Sequence, residues 1–288
     1  MVWIILVAVG ILTTGLLAAC AAGDLLGLTT KQQSPNALSA KLSPSYRVFK
    51  PDPGAGPAPT ALLFSGCDGP QDNLETWAAA MTEEGWAAVI VDSHKPRGLD
   101  AFQKWRLVCL AQVLPGAERA GDVAVAISDV REMDFVDPER LLLIGASHGG
   151  WAILDMLALQ KAGELPYNLT RWPDGFEDNH VPGVRAAILL YPYCGALSQV
   201  GTHGWSDGFP LLFLLVENDT IVEEAECLRV ISEMEESGRR VDVHMFEGVT
   251  HGFDQRTKAM FSTLEFDEAA TQRSIAITRD FVRETIGE

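Results

Sequence analysis

The sequence predicts an α/β protein with a mostly parallel central sheet and helices on both faces. Three observations predict it. Six short runs are almost continuously apolar: TALLFSG (60–66), WAAVIVDS (86–93), RLLLIGAS (140–147), VRAAILLY (184–191), PLLFLLV (210–216) and RRVDVHMF (239–246). Strands of that kind are buried on both sides, as in a parallel sheet under two helical layers. Stretches with apolar residues every three to four positions separate them, at 73–84, 101–113, 117–133, 148–161, 222–237 and 267–286. This alternation gives β-α-β connections. The third observation is a Gly-x-Ser-x-Gly, Gly145-Ala146-Ser147-His148-Gly149, at the junction of the third run and its helix.

Composition sets the limits. The chain has 288 residues, 47% of them apolar and 21% charged, enough for a large core. Net charge is −17, from 22 Lys+Arg against 39 Asp+Glu. With no Lys/Arg cluster, a nucleic-acid partner is excluded. Three regions follow: 1–22, 23–57 and 58–288. Residues 1–22 carry no charged side chain and read as an export segment. The run Leu17-Ala18-Ala19-Cys20 resembles a bacterial lipobox, which makes Cys20 the candidate for lipidation. The segment lacks any Lys or Arg, so a plainly cleaved signal or a retained anchor stays open. Each places the domain outside the cytoplasm, in the bacterial periplasm, with membrane attachment through the N-terminus in two of the three. Residues 23–57 are rich in Pro and Ser and read as a linker, interrupted by a short strand over 45–49. The irregular stretch 163–183 is too long for a routine connection and reads as a lid or pocket wall.

Without Cys20 four cysteines remain, Cys67, Cys109, Cys194 and Cys227, an even number suited to an oxidising compartment. Consecutive parallel strands tend to be neighbours, which brings the loops after them together. The expected bridges are therefore Cys67–Cys109 and Cys194–Cys227. No Cys/His pattern has zinc spacing, so no metal is expected.

The Gly-x-Ser-x-Gly at a strand-to-helix turn has the form of a nucleophile elbow, with Ser147 at its tip. A serine needs a base and an acid to orient that base. In this arrangement they follow the nucleophile, each on a loop after a strand. Val216-Glu217-Asn218-Asp219 follows the fifth run and Phe246 to Phe253 the sixth. Asp219 is then the acid, with Glu217 as rival, and His251 the base. The oxyanion donors are the N–H of His148 and an N–H of the loop Ser65 to Gly69, with Cys67 in position. His94 ends the second run on the active edge and is a candidate pocket residue. Trp151, Trp172 and Phe176 are candidate pocket walls.

TALLFSGCDG, VDSHKPRG, RAGDVAVAI, VDPERLLLIGASHGGWA, LLVENDTIV and FEGVTHGFD look like the dienelactone hydrolase family of α/β-hydrolases, over roughly residues 58–286. The resemblance implies the α/β-hydrolase fold, the triad Ser147, Asp219 and His251, and Cys67 and His148 as oxyanion donors. The founding dienelactone hydrolases carry a Cys nucleophile where this chain has Ser147, which places it in a Ser-nucleophile branch. The expected activity is hydrolysis of a small-molecule carboxylic ester or lactone through an acyl-enzyme, without a cofactor. Two other readings stand beside it: a non-catalytic binding lipoprotein on the same fold, and a prolyl-oligopeptidase-like peptidase.

Overall fold

A computed structural model describes residues 30–51, 56–176, 180–205, 209–258 and 262–287. Residues 1–22, expected to be an export segment, and Cys20 within them lie outside the described residues. Seven strands form one sheet: β1 (Arg47–Phe49), β2 (Ala58–Phe64), β3 (Ala87–Val91), β4 (Val136–Ala146), β5 (Val184–Leu190), β6 (Leu211–Val216) and β7 (Val241–Phe246). Their order is β1-β3-β2-β4-β5-β6-β7. All neighbours are parallel except β1, which pairs antiparallel with β3 at the edge. The helices are α1 (Pro35–Leu42), α2 (Asp72–Glu83), α3 (Gly116–Arg131), α4 (His148–Ala162), α5 (Glu224–Glu236) and α6 (Glu268–Ile286). This is the α/β architecture expected from the alternation of apolar runs and helical stretches.

The pleat divides each strand between two cores. Leu62, Phe64, Leu141, Leu143, Phe213 and Leu215 pack with α3, α4 and α5. Ala61, Leu63, Leu142, Ile144, Leu212 and Leu214 point the other way, onto α2 and α6. Both faces are covered, which is why these runs are apolar throughout rather than alternating. Helix α4 is buried from His148 to Gln160 and accordingly lacks a polar face.

Three sequence expectations need correction. The region 23–57 is not a plain linker over its described part. The Ser34 hydroxyl accepts from the Ala37 N–H and Pro35 opens α1. Leu38 and Leu42, four apart, are fully buried against Val125 and Leu169. The Tyr46 hydroxyl donates to Asp129 at 2.8 Å, and β1 adds the edge strand. The folded domain thus includes residues ahead of position 58.

The stretch 101–113 is not one helix. Asp100 and Gln103 form a capping box, Lys104–Val108 is a π-helical turn, and irregular turns follow. Leu114, just before Pro115, stands at φ 55° and ends the irregular turns. The described part of 163–183 is neither lid nor pocket wall. Tyr167 N–H donates to Ala117 O, the Asn168 amide donates to Asp122 at 3.1 Å, and Leu169 packs on α1 and α3. These contacts hold the segment over α3.

Two disulfides are present, Cys67–Cys109 and Cys194–Cys227, each with Cα atoms 5.0 Å apart. The first ties the loop after β2 to the π-helical turn. The second ties the loop after β5 to α5. Closing loops of 42 and 33 residues restricts the unfolded chain, and each bridge contributes about 2–4 kcal/mol. Non-reducing peptide mapping of the folded protein will return these two linkages and no other. Four alkylatable thiols after denaturation without reductant would contradict it.

Candidate active site

The parallel strands all end at one edge of the sheet, where the loops after β2, β4, β6 and β7 meet. Ser147 follows β4 directly and precedes α4, at φ 51° and ψ −112°. This strained conformation is held because both neighbouring elements close on it. A Cβ on Gly149 would lie 2.2 Å from Phe64 O, and one on Gly145 would lie 2.6 Å from Gly150 N. Only glycine allows β2, β4 and the first turn of α4 to approach this closely. The Ser147 N–H donates to Leu190 O at 2.8 Å, which ties the elbow to β5.

His251 stands on the loop after β7. Its Nε2 is 2.8 Å from Ser147 Oγ, and its Nδ1 is 2.7 Å from Asp219 Oδ2. The other Asp219 oxygen accepts the N–H groups of Ile221, at 2.8 Å, and Val222, at 3.2 Å. An ionised carboxylate so held fixes Nδ1 of His251 as the protonated nitrogen and leaves Nε2 free to take the serine proton. Glu217 is exposed and stands directly after β6, where its N–H donates to Phe246 O. The chain reverses at Asn218, φ 55°, so the carboxylate that reaches His251 is the one two residues beyond Glu217.

A network that the sequence reading did not identify supports His251. Tyr191 packs edge-on against its ring, with centroids 4.6 Å apart. The Tyr191 hydroxyl donates to Asp254, which also accepts from Trp77 Nε1 at 2.7 Å. Burial pushes the Asp254 carboxyl above the usual range and these hydrogen bonds oppose that rise. The position of Asp254, three residues after His251, was its one sequence signal.

Ser147 and His251 open into a cleft of about 190 Å³, lined among others by Gly66, Cys67, Trp105, Tyr191, Ile221 and Leu264. Asp68 also faces it. Gln255 Nε2 donates to Asp68 Oδ2 at 2.8 Å, and burial raises the Asp68 carboxyl above its ordinary value. Cys67 lines the cleft on the loop after β2, and His148 begins α4, whose free N–H groups and positive dipole face the same edge.

The four candidate pocket residues are placed outside the cleft lining. His94 is buried, 3.8 Å from Asp92, and outside the cleft lining. Burial, reinforced by Arg119, holds it well below the ordinary histidine range, so it is neutral. Trp151 lies behind the elbow, edge-on to His148 and against Tyr193. Trp172 stacks on Phe176 at 5.6 Å and packs on the core. Trp151 and Phe176 are buried and Trp172 is half-buried against the core, a packing role that apolar spacing alone does not separate from pocket lining. Among the described residues no cluster of His, Cys, Asp and Glu could hold a metal ion.

The dienelactone hydrolase family profile matches residues 177–286. A search of curated proteins returns no significant match. Among solved structures, esterase 2 of Thermogutta terrifontis, phosphoramylated by tabun, is similar with a TM-score of 0.61 and 18% identity, over 83% of this chain and 88% of that one. A dienelactone hydrolase-like promiscuous phosphotriesterase from metagenomic libraries follows, with a TM-score of 0.59 and 15% identity over 83% and 98%. A dienelactone hydrolase structure from Klebsiella pneumoniae gives 0.58 and 14% over 82% and 90%. At these identities the likeness is one of fold.

Proposed function

We propose that this chain, a relative of the dienelactone hydrolase family with the α/β-hydrolase fold, is an exported serine hydrolase that cleaves carboxylic esters or lactones. One observation carries the reading: a continuous hydrogen-bonded chain from Ser147 through His251 to Asp219 at the floor of an open cleft. Ser147 Oγ attacks the ester carbonyl while His251 Nε2 takes its proton. The N–H groups of Cys67 and His148 receive the developing oxyanion. The tetrahedral adduct collapses, His251 returns the proton to the leaving alcohol, and an acyl-Ser147 remains. Water, deprotonated by the same histidine, attacks that acyl group and restores the serine. No step requires a cofactor.

Two disulfides suit an oxidising compartment. That supports export to the periplasm, with Cys20 as the point of lipid attachment. No described helix is long and apolar enough to cross a membrane.

The test is labelling with a fluorophosphonate followed by a panel of p-nitrophenyl esters. Phosphorylation by paraoxon is recorded for the Thermogutta terrifontis esterase, so an organophosphate is an apt probe. The purified domain is expected to label stoichiometrically. A cleft of about 190 Å³ is small beside pockets for drug-sized ligands, so acetyl and butyryl esters are expected to outrun lauroyl esters. A protein that neither labels nor turns over any ester refutes the reading.

A further inference from the structure

The most deeply buried cation near the site plays no part in the chemistry described above. Arg119, in the first turn of α3, is 0% exposed. Its Nη1 donates to the Ser65 carbonyl oxygen at 2.7 Å and to His148 Nδ1 at 2.8 Å. Its Nη2 donates to Ser65 Oγ at 3.1 Å and its Nε to Ser93 Oγ at 3.2 Å. The nearby carboxylate Asp122 is engaged by Arg97, at 2.8 and 3.0 Å. Arg119 therefore spends its hydrogen bonds on neutral acceptors in three separate segments, those that follow β2, β3 and β4.

Burying a guanidinium is costly, and an apolar side chain would generally serve stability as well. What the guanidinium supplies is a rigid planar fork. Two of its targets matter for chemistry. Ser65 opens the loop that carries Cys67, and His148 is the residue after the nucleophile. These segments come from the ends of β2 and β4, and each presents one of the two N–H groups assigned to the oxyanion. Burial pushes Arg119 down to about 10, so it remains a cation at neutral pH. Burial and this neighbour together hold His148 well below the ordinary histidine range. A neutral His148 keeps the Nδ1 lone pair that accepts from Arg119.

We propose that Arg119 is the positioning residue of the oxyanion hole, a single buried fork that fixes the spacing between the Cys67 and His148 N–H donors. The inference rests on the serine-hydrolase reading. Arg119 touches neither His251 nor the cleft, so its effect falls on transition-state stabilisation rather than on substrate binding or proton transfer. Loss of one oxyanion donor typically costs 10²–10³-fold in kcat, and a displaced pair should lie at the lower end of that range.

The experiment compares Arg119→Met, Arg119→Lys, His148→Gln and His148→Leu with the wild type. Fluorophosphonate titration run to completion counts competent sites, and kcat and KM for p-nitrophenyl butyrate are then taken per titrated site. Arg119→Met is expected to lose about 10²-fold in kcat with KM within about 3-fold. Its pH profile should keep the wild-type inflection, because His251 is untouched. Arg119→Lys, which reaches one segment but not both, should fall between. A merely structural role would lower the number of titratable sites and leave kcat per site unchanged, and that result overturns the proposal. Should Arg119→Met not fold, the His148 pair decides. His148→Gln can supply an acceptor where Nδ1 was and should lose less kcat per titrated site than His148→Leu. Equal activity in those two variants also overturns it. Wild-type protein that neither labels nor hydrolyses overturns the serine-hydrolase reading itself, and this inference with it.

Discussion

Ser147→Ala is expected to remove ester turnover almost entirely, with a fall in kcat on the order of 10⁶-fold. In the proposed mechanism the hydroxyl supplies the bond-forming atom, and it is the group that begins the hydrogen-bonded chain to Asp219. The side-chain oxygen has one hydrogen-bond partner, His251 Nε2 at 2.8 Å, so its loss costs the fold about 1 kcal/mol or less. The elbow keeps its shape, since Gly145, Gly149 and the Ser147 N–H to Leu190 O bond all remain. The measurement is p-nitrophenyl butyrate hydrolysis alongside a thermal melt. A variant that melts like the wild type and still turns over would remove Ser147 from the mechanism.

Asp219→Asn gives the second large effect, a loss of about 10⁴-fold in kcat. The geometry sets the sign. Asp219 Oδ1 accepts from Ile221 and Val222 N–H groups. In the Asn variant the side-chain oxygen keeps these two bonds and the amide nitrogen is turned toward His251 Nδ1. That nitrogen donates, so the imidazole must carry its proton on Nε2 instead. An Nε2–H cannot accept the serine proton, and the base is lost while the fold persists. Glu217→Gln should stay within about 2-fold of wild type, because Glu217 is exposed and lies before the turn at Asn218. If Glu217→Gln proved the more damaging, the acid would be misassigned.

The sequence made the sheet legible because it is parallel. Strands buried on both faces must be apolar at every position, and six such runs stand out against the helical stretches between them. The antiparallel edge strand β1 was legible only as a short break in a Pro-rich stretch, since an edge strand of three residues has little pattern of its own. Helix α1 was overlooked although Ser34-Pro35 is a sound start signal. Its two buried leucines, Leu38 and Leu42, are too few for a periodicity.

Local chemistry was determined by the sequence itself. A Gly-x-Ser-x-Gly at a strand-to-helix junction requires a tight elbow, because glycine is the one residue that allows the elements on either side to close to 2–3 Å of a would-be Cβ. The order of Ser147, Asp219 and His251, after β4, β6 and β7, follows from the same chain direction. The pairing of Cys67 with Cys109 and Cys194 with Cys227 was expected from loops at one edge of the sheet, but which of those loops touch was decided by the packed structure. Whatever depends on contact between distant segments was decided by the tertiary structure. Trp151 and Trp172 have the composition of pocket walls, but Trp151 is buried behind the elbow and Trp172 lies half-buried against Phe176. Arg119 reads as one charge on an amphipathic helix, yet packing of α3 against the ends of β2 and β4 buries it between Ser65 and His148. Burial and partner are properties of the packed layers rather than of any single segment, because a side chain's surroundings are supplied by residues 26 to 54 positions away in the chain.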